Sequence, residues 1–203
     1  MSKLSRGLVG LAALLLALVY VTPLWRIDLT APQYPEGVGL RIWVNDIRGM
    51  RPADLQSING LNHYVGMAAI EPAQFPELRY MPWVVAALIG AGLAVAAAGR
   101  RVLLYAYGAV FAACAALGLH DYWKWGYTYG HTLDPQAAIK IPGASYDPPL
   151  IGVKQILNFT ASSWPDAGGI AAFAAGGLIL AAIVVELRRR AGAPARAEAL
   201  QAA

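Results

Sequence analysis

The chain has 203 residues, 58% of them hydrophobic and 14% charged, with a mean hydropathy of +0.47. A soluble domain of this length needs a more mixed surface, so lipid is the expected solvent. A single cysteine, Cys114, excludes an intramolecular disulfide, a CxxC pair and a cysteine-rich zinc site.

In chain order, residues 1–24 hold a short basic tail with Lys3 and Arg6, then the first apolar run, Gly7 to Leu24. The run is long and continues into "YVTPLWRID" without a small-x-small cleavage pattern, so it reads as an uncleaved anchor rather than a signal peptide. Residues 25–82 form a first hydrophilic segment. In it, "GLRIWVN" alternates like a short strand, with Leu40, Ile42 and Val44 on one face, flanked by turn chemistry in "YPEGVG" and "DIRGM". A short β-hairpin or small sheet is predicted there. Leu55, Ile58, Leu61 and Val65 then recur at helical spacing. If that helix persists, His63 and Met67 are i and i+4 on one face.

Residues 83–101 hold the second run and the turn "AAAGRR"; the second run needs Met81 and Trp83 at the interface to reach spanning length. Residues 102–119 form the third run. Residues 120–168 form a second hydrophilic segment, aromatic at first, then turning at Asp134-Pro135 and Pro142-Gly143. In it, "LIGVKQILNF" reads as an amphipathic piece suited to the membrane plane. A loop approaching fifty residues is too long for a passive connector. Residues 169–187 are the fourth run, and in the tail 188–203 the stretch "AGAPARAEALQAA" reads as disordered or weakly helical. The fold class is therefore mostly α and integral to a membrane: four transmembrane helices and two periplasmic segments, the first with a small sheet.

With the amino terminus inside, the inner pieces carry a net +6 and the outer segments −2, which follows the positive-inside rule. Both termini are then cytoplasmic. The pI near 9.3 reflects topology, and no basic stripe remains for nucleic acid. Trp25, Trp43, Trp83, Trp123, Trp125 and Trp164 all fall in the outer segments or at their edges, where amphipathic rings favour the interface. The small-residue spacings "GLVG", "GAG" and "AAGG" read as helix-packing surfaces. Glu186 reads as a membrane-edge residue that snorkels with the arginines, which leaves the helices without a buried charge.

His63, His120 and His131 and the methionines Met50, Met67 and Met81 are all on the outer side. Imidazole and thioether without thiolate suit copper, above all Cu(I), in an oxidising compartment. His63 and Met67 form the centre of that candidate site, with His131, His120 and Met50 as completing ligands. The competing account is a hydrogen-bonded structural histidine at each position, with Asn59 and Asn62 capping a turn and fixing the His63 ring. No P-loop, GxGxxG or nucleophile context stands out, so catalysis has little support.

The stretches "APQYPEGVGLRIWVNDIRG", "INGLNHYVGM" and, more loosely, "LDPQAAIKIPGASYDPPLIGVKQILNF" resemble a family of small bacterial inner-membrane proteins associated with copper and nitrous-oxide-reductase maturation genes. The likeness covers both outer segments, and its most specific part is "LNHYVGM". It implies an accessory role in periplasmic assembly of a copper enzyme, with copper as cofactor, an assembly partner, and His63 and Met67 as metal contacts. Two other readings stand beside it: a non-catalytic structural subunit of a larger membrane complex, and a quinone- or lipid-facing subunit that uses the aromatic rim of the second segment.

Overall fold

The computed structural model describes the backbone of residues 1–201 and the side chains of residues 1–191. Ala202, Ala203 and the side chains of Arg196 and Glu198, which entered the charge count, lie outside the described residues. The elements run α1 (Lys3–Leu16), β1 (Trp25–Ala31), β2 (Tyr34–Ile42), β3 (Ile47–Gly49), α2 (Asp54–Val65), α3 (Glu77–Ala98), α4 (Arg101–His131), β4 (Gly152–Ile156), β5 (Phe159–Pro165) and α5 (Ala167–Gln201). Four helices, Lys3–Tyr20, Glu77–Ala98, Arg101–His131 and Ala167–Ala191, are long and apolar enough to cross a membrane. Of the two readings of the tail, disordered or weakly helical, the helical one agrees with α5, which runs to Gln201.

The residues fall into two compact units: 1–18, 83–115 and 171–203 in one, 19–82 and 116–170 in the other. The first is a helical unit around Val9, Ala12, Leu16, Val95, Leu104, Tyr107, Ala175 and Ile179. Small residues let its helices close up. A Cβ on Gly92 would lie 2.7 Å from the Tyr107 hydroxyl, and one on Gly108 would lie 2.6 Å from Ile183, the tight approach that small-residue faces allow. Glu186 corrects the sequence reading. Its side chain is fully buried rather than snorkelling, because donors distant in sequence converge on it: the Ser2 N–H at 2.6 Å, the Ser5 hydroxyl at 2.8 Å and Arg101 Nε at 2.6 Å. A buried carboxylate is tolerated when it is paired and hydrogen-bonded in this way.

The second unit holds one five-stranded antiparallel sheet in the order β3-β2-β1-β5-β4. The hairpin or small sheet expected in the first hydrophilic segment is part of it, and it is larger because both segments contribute strands. β1 pairs with β2 from Trp25↔Ile42 onward, and with β5 from Trp25↔Pro165 to Thr30↔Thr160. Trp25, Ile27, Val38, Leu40 and Ile47 turn to one face, where Ile58 of α2 and Ile70 join them. Gly39 to Ile42 of the predicted strand lie in β2, while Trp43, Val44 and Asn45 fall beyond its end and the "IRG" read as a turn is β3. The expected membrane-plane piece "LIGVKQILNF" is instead β4 and the start of β5. Its exposure alternates with period two along Gly152–Ile156, which the β5 partner rewards and a helix would not. The third apolar run continues as helix through its aromatic turns to His131.

One buried hydroxyl ties the two segments together. Ser163 Oγ accepts from Trp25 Nε1 at 2.9 Å, lies 2.8 Å from the Tyr122 hydroxyl and 3.2 Å from the Leu150 carbonyl. Serine has a single proton; donating it to Leu150 makes Tyr122 the donor to Ser163 and satisfies every group. Ser163→Ala orphans two buried donors and is expected to cost about 2–4 kcal/mol, measured as a lowered unfolding midpoint in detergent.

The β4–β5 turn carries the other notable feature. Ile156 pairs with Phe159, so Leu157 and Asn158 form a two-residue turn, and Leu157 has φ +55°. A positive φ at the first turn position ordinarily belongs to Gly, Asn or Asp. Replacement Leu157→Asn relieves left-handed strain and is expected to stabilise the protein by about 1 kcal/mol, read as a raised unfolding midpoint.

Candidate functional site

The "LNHYVGM" stretch lies in the second unit, at the end of α2. The helix stops because Gly66 adopts φ +83°. The Gly66 N–H then bonds the His63 carbonyl at 3.3 Å, and the Met67 N–H bonds the Asn62 carbonyl at 2.9 Å. This six-to-one closure is the Schellman pattern of a glycine-terminated helix. It corrects the expectation that His63 and Met67 share one helical face: Met67 has already left the helix.

Asn59 and Asn62 are occupied by the chain that follows, and not by the His63 ring. Asn59 donates to the Ile70 carbonyl at 3.1 Å and accepts from the Ile70 N–H at 2.8 Å, which mimics a strand pairing. Asn62, buried, donates to the Ala68 carbonyl at 3.2 Å. The second hydrophilic segment docks on the same stretch. The Asp134 N–H donates to Gly66 O at 2.8 Å and the Ile139 N–H to Tyr64 O at 2.9 Å. A Cβ on Gly66 would stand 2.9 Å from both Asp134 N and Asp134 O, so glycine is required there for contact as well as for conformation.

His63 remains exposed, and among the described residues its ring makes no hydrogen bond or ion pair; its recorded neighbour is Tyr64, 6.2 Å away between ring centroids. His63 and Met67 both border an open recess completed by Gly66, Ala68, Thr132, Leu133 and Asp134. The recess exists because Gly66 draws residues 132–134 against the end of α2.

The other candidate ligands stand apart from that recess. His131 ends α4 with its ring stacked on Tyr127, centroids 3.9 Å apart. Its Nδ1 lies 2.9 Å from the Tyr127 carbonyl and 3.9 Å from Asp147 Oδ1. His120 lies against Trp123, 5.7 Å between centroids. Met50 follows β3, its N–H bonded to Gly39 O at 2.8 Å. None of the three lines the recess. Among the described residues there is no cluster of three or more His, Cys, Asp or Glu suited to a metal ion. The five candidate residues therefore do not line one recess; His63 and Met67 share one with Asp134.

No protein-family model, no curated protein and no solved structure matches the chain. The site has to be read from its own chemistry.

Beside His131, Asp147 is paired with Lys154 Nζ at 3.1 Å. Gly130 abuts its backbone so closely that a Cβ would fall 2.2 Å from Asp147 N. Burial pushes the Asp147 carboxyl up, but hydrogen bonds from Lys154 and Ser145 and the charge of Lys154 outweigh it and hold the group below its ordinary 3.8. A carboxylate with a depressed folded value contributes stability above its unfolded value and loses it as pH falls through the folded one. Asp147→Asn is therefore expected to lower the unfolding midpoint near pH 7 and to differ progressively less from the parent below about pH 4.

Proposed function

We propose that this protein is a multi-pass accessory protein of a bacterial inner membrane, with both termini cytoplasmic, that offers Cu(I) a low-coordinate site at His63 and Met67 during assembly of a copper enzyme such as nitrous oxide reductase. The observation that carries this reading is how the "LNHYVGM" stretch divides. Asn62 and Gly66 have structural partners, whereas the His63 ring makes no hydrogen bond or ion pair among the described residues and shares a recess with Met67.

Imidazole nitrogen and thioether sulfur match the softness of Cu(I), which is stable with two or three ligands. Asp134 is a hard donor and adds little to that preference, so the site is suited to weak binding and release by ligand exchange rather than to storage or catalysis. His131, His120 and Met50 have no part in it.

The reading is tested by Cu(I) competition against a chromophoric chelator with the full chain in detergent. One equivalent is expected to bind. His63→Ala or Met67→Ala should each weaken it at least about tenfold, the double variant should abolish it, and His131→Ala should leave it unchanged. Unchanged binding in a double variant that keeps its circular dichroism would refute it.

A second reading, a non-catalytic subunit of a larger complex, is favoured by one observation. A Cβ added at Gly7, Gly10, Gly90, Gly118 or Gly177 would meet nothing within 4 Å, so these helix positions have room for a neighbour.

A further inference from the structure

The same unit contains a second cavity, of about 320 Å³ and more apolar than the recess, within the range of small-molecule sites, about 300–1,000 Å³. Ile27 and Leu40 of the sheet, Ile58 and Leu61 of α2, and Trp125 and Tyr129 of α4 line it. Among the described residues, no Asp, Glu, Lys, Arg or His contributes to its wall. Native interiors hold few voids larger than a water. A space roughly ten times a water's share of liquid volume, walled by groups that offer water few hydrogen bonds, suits an apolar guest.

Two further observations specify the guest. The indole N–H of Trp125, beside the Tyr129 hydroxyl, is buried yet meets no acceptor in bonding geometry. A buried donor of this kind calls for an oxygen on whatever occupies the cavity. At the rim, Tyr64, Ile139 and Leu157 are 57%, 45% and 44% exposed. Leu157 holds its place with φ +55°, a conformation that a turn would ordinarily give to Gly or Asn. Strain of this kind, at a position that presents an aliphatic side chain to a cavity mouth, points to use of that side chain.

We propose that the cavity binds the hydrocarbon chain of a membrane amphiphile, with a carbonyl oxygen near its head accepting from Trp125 Nε1. A peptide fits less well, because its backbone brings a polar pair per residue to a wall whose side-chain polar groups come mainly from Gln33, Asn62, Asn158, Trp125 and three tyrosines. The wall residues Trp125 and Tyr129 belong to the aromatic end of α4, a helix of 31 residues. About 20 residues suffice to cross the hydrocarbon, and aromatic rings beyond such a run favour the interface, where chain and carbonyl meet. The shared chemistry, an apolar chain next to a carbonyl, occurs in phospholipid esters and in isoprenoid quinones. This assignment is independent of the copper reading, although Met67 borders both spaces.

The test uses the full chain in detergent with two photoactivatable probes: a phosphatidylglycerol with a diazirine in one acyl chain, and a ubiquinone analogue with a diazirine in its tail. Adducts are mapped by mass spectrometry. Adducts within residues 58–70 and 139–159 are expected, and the probe that gives them identifies the source. Trp125→Phe keeps the ring and removes the donor, and should weaken labelling about fivefold. Leu61→Trp, which fills the space, and Leu157→Asn, which relieves strain while removing the apolar rim, should weaken it at least as much. Adducts confined to residues 3–20 and 77–98, labelling unchanged in all three variants, or a cavity closed by a cross-linked second copy or other polypeptide would overturn the proposal.

Discussion

The hydroxyl of Ser163 sits fully buried where β1, β5 and α4 meet, and the rest of the sheet-bearing unit is arranged around the pairing it marks. β1 is the central strand, with the first hydrophilic segment on one side and the second on the other. Trp25 needs an acceptor for its indole, Tyr122 needs an acceptor for its hydroxyl, and Ser163 serves both. Apolar packing alone would tolerate a strand slid along its neighbour; a hydroxyl shared among three partners does not. That fixed register puts Ile27 and Leu40 opposite α2, and so defines the wall of the cavity.

Much of this organisation was legible in the sequence. Four apolar runs gave four long helices because hydrophobic length is a local property. α2 was visible in the spacing of Leu55, Ile58, Leu61 and Val65, since its buried face repeats at the helical period. What escaped was non-local. β5 has a weak pattern of its own, and "FTASSWP" becomes a strand because β1 supplies its partners. Glu186 looked like a surface residue until Ser2, Ser5 and Arg101 were brought to it. The end of α2 was readable in principle, as a glycine directly after the last periodic residue is a stop signal. Treating Gly66 only as a weak helix former placed Met67 on the wrong face.

The candidate site shows the same division between local and distant information. Residue types alone named His63 and Met67 together with His131, His120 and Met50, because softness and compartment are properties of composition. Geometry then separated them. His131 is held by Tyr127, His120 lies against Trp123, and Met50 belongs to the edge of the sheet. The asparagines beside His63, which resembled ligand-orienting groups, secure residues 68–70 to α2. The apolar cavity had no sequence signature, since its lining comes from the sheet, two helices and two loops, none of them unusual by itself.

The position of β5 in the chain has a consequence for how the protein is made. β1, β2 and β3 leave the ribosome together and can form a meander at once, but the second edge of β1 has no partner until the long apolar helices α1, α3 and α4 have been synthesised. During that interval an apolar strand presents unpaired amides, the condition that invites wrong partners. The charged and polar face of β1, with Arg26 and Asp28, and the early closure of α2 over the opposite face limit that hazard. The final hairpin both completes the sheet and supplies part of the cavity rim, so maturation of the polypeptide and creation of that space are one event.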